Sequence, residues 1–192
     1  YGGSGADELY LTGSGGGTAD GGEGDDFFTW LTLGGGVADR FTGGDGRDTF
    51  RPYYFSSTYT ADVITDFSAG LGGDRLDLAY LIASLSNYSG GTNPFSSGHM
   101  RFAADGADTV LQIDTDGGAD NWTTVIRLEN VDPVALVRDN IVQAYSPTGV
   151  DGVTINDGDG SSNLTGTSDD DTINGNGGND TINALAGNDT VY

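Results

Sequence analysis

An aspartate returns every nine residues at one end of this chain. Asp171, Asp180 and Asp189 keep that step, each two places before a lone aliphatic side chain, Ile173, Ile182 and Val191. Nine is not a multiple of 3.6, so one face of a helix does not account for it, and strand alternation has a period of two. A fixed period of this length belongs to a stacked repeat, in which neighbouring units bury together what one unit cannot bury alone.

The unit reads G-G-x-G-x-D-x-U-x, with U apolar. "GGSGADELY" (Gly2 to Tyr10), "GGEGDDFFT" (Gly21 to Thr29) and "GGDGRDTFR" (Gly43 to Arg51) match at every position. "GGGVADRFT" keeps Asp39 and Phe41, and "LTGSGGGTAD" is a degenerate unit without the aspartate. "WLTL" (Trp30 to Leu33) is an insertion that shifts the count. From Asp157 the units "DGDGSSNLT", "GTSDDDTIN", "GNGGNDTIN" and "ALAGNDTVY" run back to back, with "TGVDGVTIN" upstream supplying Ile155 at the apolar position. Both outer ends stop on a full repeat, so a piece of a longer array is expected. Six Gly- and Asp-rich residues make a turn, and x-U-x makes a short strand with U inward. Stacking then ladders Ile155, Leu164, Ile173, Ile182 and Val191, and it also lines up one aspartate per unit. A column of like charges repels unless something divalent lies between its members. Calcium suits such turns best, because it takes 6–8 oxygens from carboxylates and carbonyls.

The charge balance agrees. There are 29 acidic residues against 7 arginines and no lysine, and all the acids except Glu8, Glu23 and Glu129 are aspartate. Glutamate is the better helix former, whereas aspartate belongs in turns and metal loops. A net charge of −22 excludes a nucleic-acid partner, which needs a basic face, and calls for cations to offset self-repulsion. With 34 glycines the composition borders on that of a disordered chain, but aromatics at 10% and clear apolar strands set it apart. No apolar run is long enough to span a membrane, and the first residues lack a signal-peptide pattern.

Three segments follow: repeats over 1–51, ordinary globular sequence over 52–147, and repeats again over 148–192. In the middle, "ADVITDFSAGLGGDRLDLAYLI" reads as strand, turn, strand and then a short apolar helix or coil. "HMRFAADGADTVLQIDTD" reads as a hairpin turning at Asp105-Gly106, with Leu111 and Ile113 on one face. "TTVIRLENV" is a further strand, with Ile126 and Leu128 on one face and Val125, Arg127 and Glu129 on the other. "DPVALVRDNIVQAY" has Asp132 to cap and Pro133 at the first position of a helix of about ten residues. The apolar faces around Ile64, Leu76, Leu78, Leu111 and Ile126 need a partner, and continuing the first roll through "DVITDF" and "DRLDL" would supply one. "DTDGGADN" (Asp114 to Asn121) departs from the EF-hand pattern at Gly118 and has no closing Glu, which favours a plain acidic loop.

The repeats resemble the RTX family, whose nonapeptide forms a calcium-binding parallel β-roll. The resemblance implies an all-β fold, with two roll blocks flanking a β-rich capping segment that carries one short helix. It also implies that a calcium lies between turns two units apart. The earlier turn would give its second and fourth carbonyls and its aspartate; the later turn would give its first and third carbonyls and its aspartate. Carried onto this chain, Gly3, Gly5 and Asp7 would face Gly21, Glu23 and Asp26. Gly22, Gly24 and Asp26 would face Gly43, Asp45 and Asp48. Thr167, Asp169 and Asp171 would face Ala184, Ala186 and Asp189. Gly158, Gly160 and Ser162 would face Gly175, Gly177 and Asp180, with Ser162 replacing a carboxylate. Asp39 is expected at a metal turn but has no evident partner in the sequence. The middle segment, through Asp62 to Phe67, Asp74 to Leu78, Asn93-Pro94-Phe95, Gly106 to Gly117 and Arg127 to Val131, is similar to the segment beside RTX repeats in proteins exported by type I secretion. More loosely, it is similar to tail modules of serralysin-like proteases and alginate epimerases.

Material for catalysis is scarce. There is no Cys or Lys, His99 is the one histidine, and no HExxH, G-x-S-x-G or P-loop occurs. The expectation is therefore a non-enzymatic, calcium-dependent folding module of a secreted bacterial protein. It would be extracellular or at the cell surface, with calcium and, through its parent, the type I secretion machinery as partners. The alternative is a carbohydrate- or surface-binding module, or a self-assembling subunit of an adhesin, surface layer or filament. In that case neighbouring copies or surface glycans would meet Tyr53, Tyr54, Phe55 and Tyr59.

Overall fold

The first repeats coil the chain into alternating short strands: β1 (Gly3–Ser4), β2 (Glu8–Gly13), β3 (Thr18–Glu23), β4 (Phe27–Thr32), β5 (Arg40–Asp45) and β6 (Thr49–Pro52). Two more, β7 (Asp62–Ile64) and β8 (Arg75–Leu76), come from the middle segment. The computed structural model describes residues 1–13, 16–32, 36–52, 60–185 and 187–192. Odd strands pair in parallel on one wall, even strands on the other, so each unit lies against the unit two further on. This is an all-β parallel roll, as the period requires.

The apolar position of each unit forms one ladder per wall. Leu9, Phe28, Phe50 and Leu76 are in register on the even wall; Ala19, Phe41 and Ile64 are in register on the odd wall. Phe28, Phe41, Phe50, Ile64 and Leu76 have no exposed surface. Phe28 and Phe50 stack with ring centroids 4.8 Å apart, and Trp30 packs 4.3 Å from Phe41. Aromatic rings bury large areas, so a few units suffice for a dry core. The four-residue insertion does not break the stack. Trp30 lies in β4 opposite Leu11 and Pro52, its ring is buried, and its indole N–H donates to Asp62 Oδ2 at 2.6 Å. Trp30, Leu31 and Thr32 of the insertion belong to β4, which pairs along its whole length with β2, and the turns stay in line.

Beyond β8 come a one-turn helix, α1 (Ala79–Ala83), and the strands β9 (Met100–Asp105), β10 (Asp108–Ile113) and β11 (Thr123–Leu128). Among the described residues the odd wall continues β1-β3-β5-β7-β11-β10-β9, with β11 parallel to β7 and the last two pairings antiparallel. The hairpin turns where the sequence puts it, with Gly106 at φ +70°. β11 buries Val125 along with Ile126 and Leu128, because a register shift opposite Leu111 and Gln112 turns Val125 inward.

The helix expected over "DPVALVRDNIVQAY" does not form. Asp132 caps as expected, accepting from Val134 N–H, but the chain makes only two single 3-10 turns, Pro133–Ala135 and Arg138–Asn140. Leu136 and Val137 between them are extended, with ψ 130° and 170°. That break buries Leu136 in the core and sets Ile141 beside Leu76, which extends the even ladder. Four β-branched residues, Val134, Val137, Ile141 and Val142, offer little helix propensity against it.

The second repeat block has its own walls, β12 (Thr154–Asn156), β14 (Thr172–Asn174) and β16 (Thr190–Val191) on one side, β13 (Asn163–Thr165) and β15 (Thr181–Asn183) on the other. Ile155, Ile173 and Val191 form one ladder; Leu164 and Ile182 form the other. Among the described residues only aliphatics line these ladders, and Ile173 is the one hydrophobic residue of the block that is buried. This block is therefore the more dependent on whatever holds its turns.

Deleting residues 1–51 would strip β5 from β7 and β6 from β8. Residues 52–147 expressed alone should show no cooperative thermal transition by circular dichroism, whereas residues 1–147 with calcium should show one. A sharp, calcium-independent melt of the shorter fragment would contradict this packing.

Candidate metal centre in the stacked turns

Pairing two units apart brings the Gly- and Asp-rich turns into columns. Gly3 pairs with Gly22 and Ser4 with Glu23; Gly22 in turn pairs with Gly44 and Glu23 with Asp45. Turns 2–7, 21–26 and 43–48 therefore lie directly on one another. The approach is close: a Cβ on Gly22 or Gly44, both with positive φ, would strike the carbonyl oxygen of Gly3 or Gly22. Glycine at the second position is a requirement of this stacking.

In the first block, Asp26 and Asp48 each spend one carboxylate oxygen on the column. The amide N–H of Asp7 donates to Asp26 Oδ1 at 2.8 Å, that of Asp26 to Asp48 Oδ1 at 2.9 Å, and that of Asp48 to Asp74 Oδ1 at 2.9 Å. The other oxygen has no protein partner. Asp7 Oδ2, Asp26 Oδ2 and Asp48 Oδ2 are buried and accept no hydrogen bond, although Asp26 and Asp48 are almost wholly enclosed. A buried carboxylate oxygen left bare is costly unless a cation meets it.

Carbonyls converge on the same spaces. A Cβ built on Gly2 would sit 2.7 Å from Asp7 Oδ2 and 2.5 Å from the Gly21 carbonyl oxygen. One built on Gly21 would collide with Asp26 Oδ2 and lie 2.6 Å from the Gly43 carbonyl oxygen. One on Gly166 would collide with Asp171 Oδ2 and lie 2.6 Å from the Ala184 carbonyl oxygen. Each space thus holds an earlier aspartate oxygen beside the first carbonyl of the later turn. The Glu23 and Asp45 carbonyls each accept one N–H, from Gly5 and Gly24 at 2.7 Å, and keep a second lone pair. The donor set is oxygen throughout, which fits a hard cation such as calcium.

The second block repeats the pattern with substitutions. Asp171 N–H donates to Asp189 Oδ1 at 2.9 Å, and Ser162 N–H to Asp180 Oδ1 at 3.0 Å. Turns 166–171 and 184–189 are therefore brought together, as are 157–162 and 175–180. Ala186 lies outside the described residues. Gly158 and Gly160 have open space around them, and only the Gly160 carbonyl approaches the next turn, 2.6 Å from a Cβ on Gly178. Gly175 faces Asp180 Oδ2, and Gly177 faces Asp159 of the earlier turn. Thr167 N–H and hydroxyl bind both oxygens of Asp171, at 2.6 and 3.0 Å, so that carboxylate is less bare than those of the first block. Asp39 does have partners: its Oδ1 accepts Gly17 N–H at 2.7 Å, and its own N–H donates to Asp62 Oδ1 at 2.8 Å. Residues 33–35 and 53–59, and with them Tyr53, Tyr54, Phe55 and Tyr59, lie outside the described residues.

The roll continues through "DVITDF" and "DRLDL" as expected. Three features went unread in the sequence. Asp62 and Asp74, in D-x-U units without the glycines, also continue the aspartate columns. Asp157, at a first position, has a buried, unpartnered Oδ2 in the turn where Ser162 replaces the usual aspartate. The variable fifth position also has a job: Asp25 accepts Arg47 N–H, Ser161 accepts Asn179 N–H, and Asp170 accepts Asn188 N–H, at 2.8, 3.1 and 2.7 Å. The acidic loop Asp114, Asp116 and Asp120 is closed by its own backbone, with Asp120 N–H on Asp114 Oδ2 at 3.0 Å. His99 is buried between the Ser97 hydroxyl and the Ser86 carbonyl, a structural setting.

A family model for the RTX calcium-binding nonapeptide repeat matches in four copies, over residues 33–51 and 156–191. No curated protein matches the chain. Among solved structures, the AlgE6R3 subunit of the Azotobacter vinelandii mannuronan C5-epimerase is 30% identical, over 74% of this chain and 80% of that one, at a TM-score of 0.44. The AlgE6R2 subunit of the same organism's epimerase is 25% identical, over 74% of this chain and 93% of that one, at a TM-score of 0.39. The repeats over 33–51 and 156–191 belong to the RTX calcium-binding nonapeptide-repeat family. RTX nonapeptide repeats bind calcium ions, and this is a calcium-binding module.

Burial raises the Asp48 carboxyl to about 6, with the charges of Asp74, Asp26 and Asp66 adding to the shift and the Asp26 N–H opposing it. Burial likewise raises Asp74. A raised carboxyl penalises the metal-free fold above that value. The penalty fades as pH falls through about 6 and is gone below the ordinary value of 3.8. Calcium needs the ionised form. Acidification from pH 7.5 to 5 should therefore raise the calcium midpoint while increasing β-structure in EDTA, both read by circular dichroism. An unchanged calcium midpoint would contradict the assignment.

Asp26 belongs to two turn pairs and Asp7 to one. Asp26→Asn should raise the calcium midpoint more than Asp7→Asn, and both more than Asp20→Asn, which lies outside the sixth position. Calcium titrations of the three variants check the order.

Proposed function

We propose that this RTX module is a calcium-triggered folding element of a secreted protein, unfolded where calcium is scarce and folded outside the cell. The observation that carries the reading is the row of buried carboxylate oxygens, Asp7, Asp26 and Asp48 Oδ2, that no protein group satisfies. Without a cation they oppose the stacking that buries the phenylalanine ladder. With one they stabilise it, so binding energy becomes folding energy. Extracellular calcium modules work at about 10⁻⁴–10⁻³ M, far above cytosolic levels. Export as an unfolded, acidic chain through type I secretion fits this, as does an extracellular or surface location.

The proposed ligand sets are those of the resembling family. Gly3, Gly5 and Asp7 act with Gly21, Glu23 and Asp26; Gly22, Gly24 and Asp26 act with Gly43, Asp45 and Asp48. Thr167, Asp169 and Asp171 act with Ala184, Ala186 and Asp189. Gly158 and Gly160 act with Gly175, Gly177 and Asp180, where Asp157 takes the place of the missing carboxylate. In this reading the module does no chemistry itself. Supporting that, the carboxylates already have roles in the columns and the histidine is enclosed.

Magnesium is a poor substitute, since it demands tight octahedral geometry and gives up water reluctantly. Far-ultraviolet circular dichroism in EDTA, millimolar magnesium and millimolar calcium should give a full β signal in calcium alone. Equal signals in all three conditions would refute the proposal.

A further inference from the structure

The first turn pair of the second block, 148–153 on 166–171, breaks the pattern in two places at once. Its sixth position is Val153, so the earlier turn lacks the sixth-position carboxylate. Its fourth position, glycine in Gly5, Gly24, Gly46, Gly160, Gly178 and Gly187, is Asp151 in one turn and Asp169 in the other. The turns are nonetheless tightly joined: Val153 N–H donates to Asp171 Oδ1 at 2.7 Å and Thr172 N–H to the Val153 carbonyl at 2.9 Å. Asp169 is buried, with 3% of its surface exposed.

The charge that meets Asp169 comes from outside the repeats. Arg138 donates from Nε and Nη2 to Asp169 Oδ2 at 3.1 and 2.8 Å, and its Nη2 lies 3.7 Å from Asp151 Oδ1. Arg138 is held in place by its neighbours. Asp139 takes Gly72 N–H at 2.8 Å and the Arg47 guanidinium at 2.7 Å. Asn140, fully buried, binds Gly70 through both backbone groups and the Asp74 carbonyl at 2.8 Å. The turn Arg138–Asn140 thus grips the end of the first roll and presents a fixed cation to the start of the second.

We propose that the Arg138 guanidinium supplies the positive charge at turn pair 148–153/166–171, so that this pair assembles without its own calcium and seeds the second roll once the first has folded. Loss of the sixth-position carboxylate and gain of fourth-position carboxylates move the negative charge to where a tethered guanidinium reaches it. A fork of donors on one buried carboxylate oxygen is a strong, geometrically fixed contact. The inference rests on the reading that the other turns of the column are held by calcium.

Hydrogen exchange of the full chain along a calcium titration tests it, with peptides from 1–51, 148–174 and 175–192 followed separately. In the natural sequence, 148–174 should become protected together with the middle segment and at lower calcium than 175–192. Arg138→Gln should raise the calcium needed for 148–174 roughly tenfold, about the strength of a charge-assisted contact, and leave 1–51 unchanged. Asp169→Asn added to Arg138→Gln should bring the midpoint most of the way back, because the carboxylate that needed a partner is gone. That rescue stays readable even where Arg138→Gln alone leaves the segment unfolded at every calcium concentration. A midpoint for Arg138→Gln within twofold of the natural protein, or no recovery in the double variant, would overturn the inference. Absence of calcium dependence in 1–51 of the natural protein would instead sink the calcium reading on which it rests.

Discussion

The structure depends on settling a column of carboxylates. Strand spacing puts successive turns about 5 Å apart, and at an effective dielectric near 20 two unit charges at that distance repel by about 3 kcal/mol. Burying one leucine- or phenylalanine-sized side chain gains about 1.5–3 kcal/mol. Each repeat contributes roughly one of each, so repulsion can cancel the apolar gain unit by unit. A divalent cation between turns reverses the sign of the electrostatic contribution. The core and the metal layer are then one object. On the proposed reading, neutralising the aspartates lets the phenylalanine ladder of the first block stack, and the stacked ladder in turn aligns the aspartates.

Much of this is legible in nine letters. The spacing of Asp7, Asp26 and Asp48 against Leu9, Phe28 and Phe50 identifies both the inward residue and the aspartate that falls in the stacked turns. Where the glycines disappear, legibility falls. "DVI" and "DRL" keep the aspartate and the apolar residue but lack the turn signature, and their place in the columns follows from pairing with β5 and β6. The stretch after Asp132 misleads for a different reason. Its cap is real, yet Leu136 and Ile141 are drawn into the core and ladder by tertiary contacts that outweigh a modest helix preference.

Four of the seven arginines reach across seams of the fold. Arg40 of the roll meets Glu129, Arg47 meets Asp139, Arg51 meets Asp77, and Arg138 meets Asp169 of the second block. The two solvent-facing pairs, Arg40–Glu129 and Arg47–Asp139, add little stability each, whereas Asp77 and Asp169 are buried. Their location is the informative part: within a column the repeated turns suit a mobile divalent ion, whereas at a junction the geometry occurs once and a tethered cation suits it. Asp77 illustrates the difference. Burial alone would raise its carboxyl, but hydrogen bonds from Arg51, Gln143 and the Ala79 N–H hold it below the ordinary value.

The central claim is that calcium acts as a ligand between turns and not as a screen for net charge. Small-angle scattering at matched ionic strength separates the two most directly. For 192 residues the folded radius of gyration is about 16 Å and the unfolded about 47 Å. Sodium chloride with EDTA should leave the chain expanded, and calcium at the same ionic strength should collapse it to the smaller value. An equally compact chain in sodium chloride and EDTA would contradict the account.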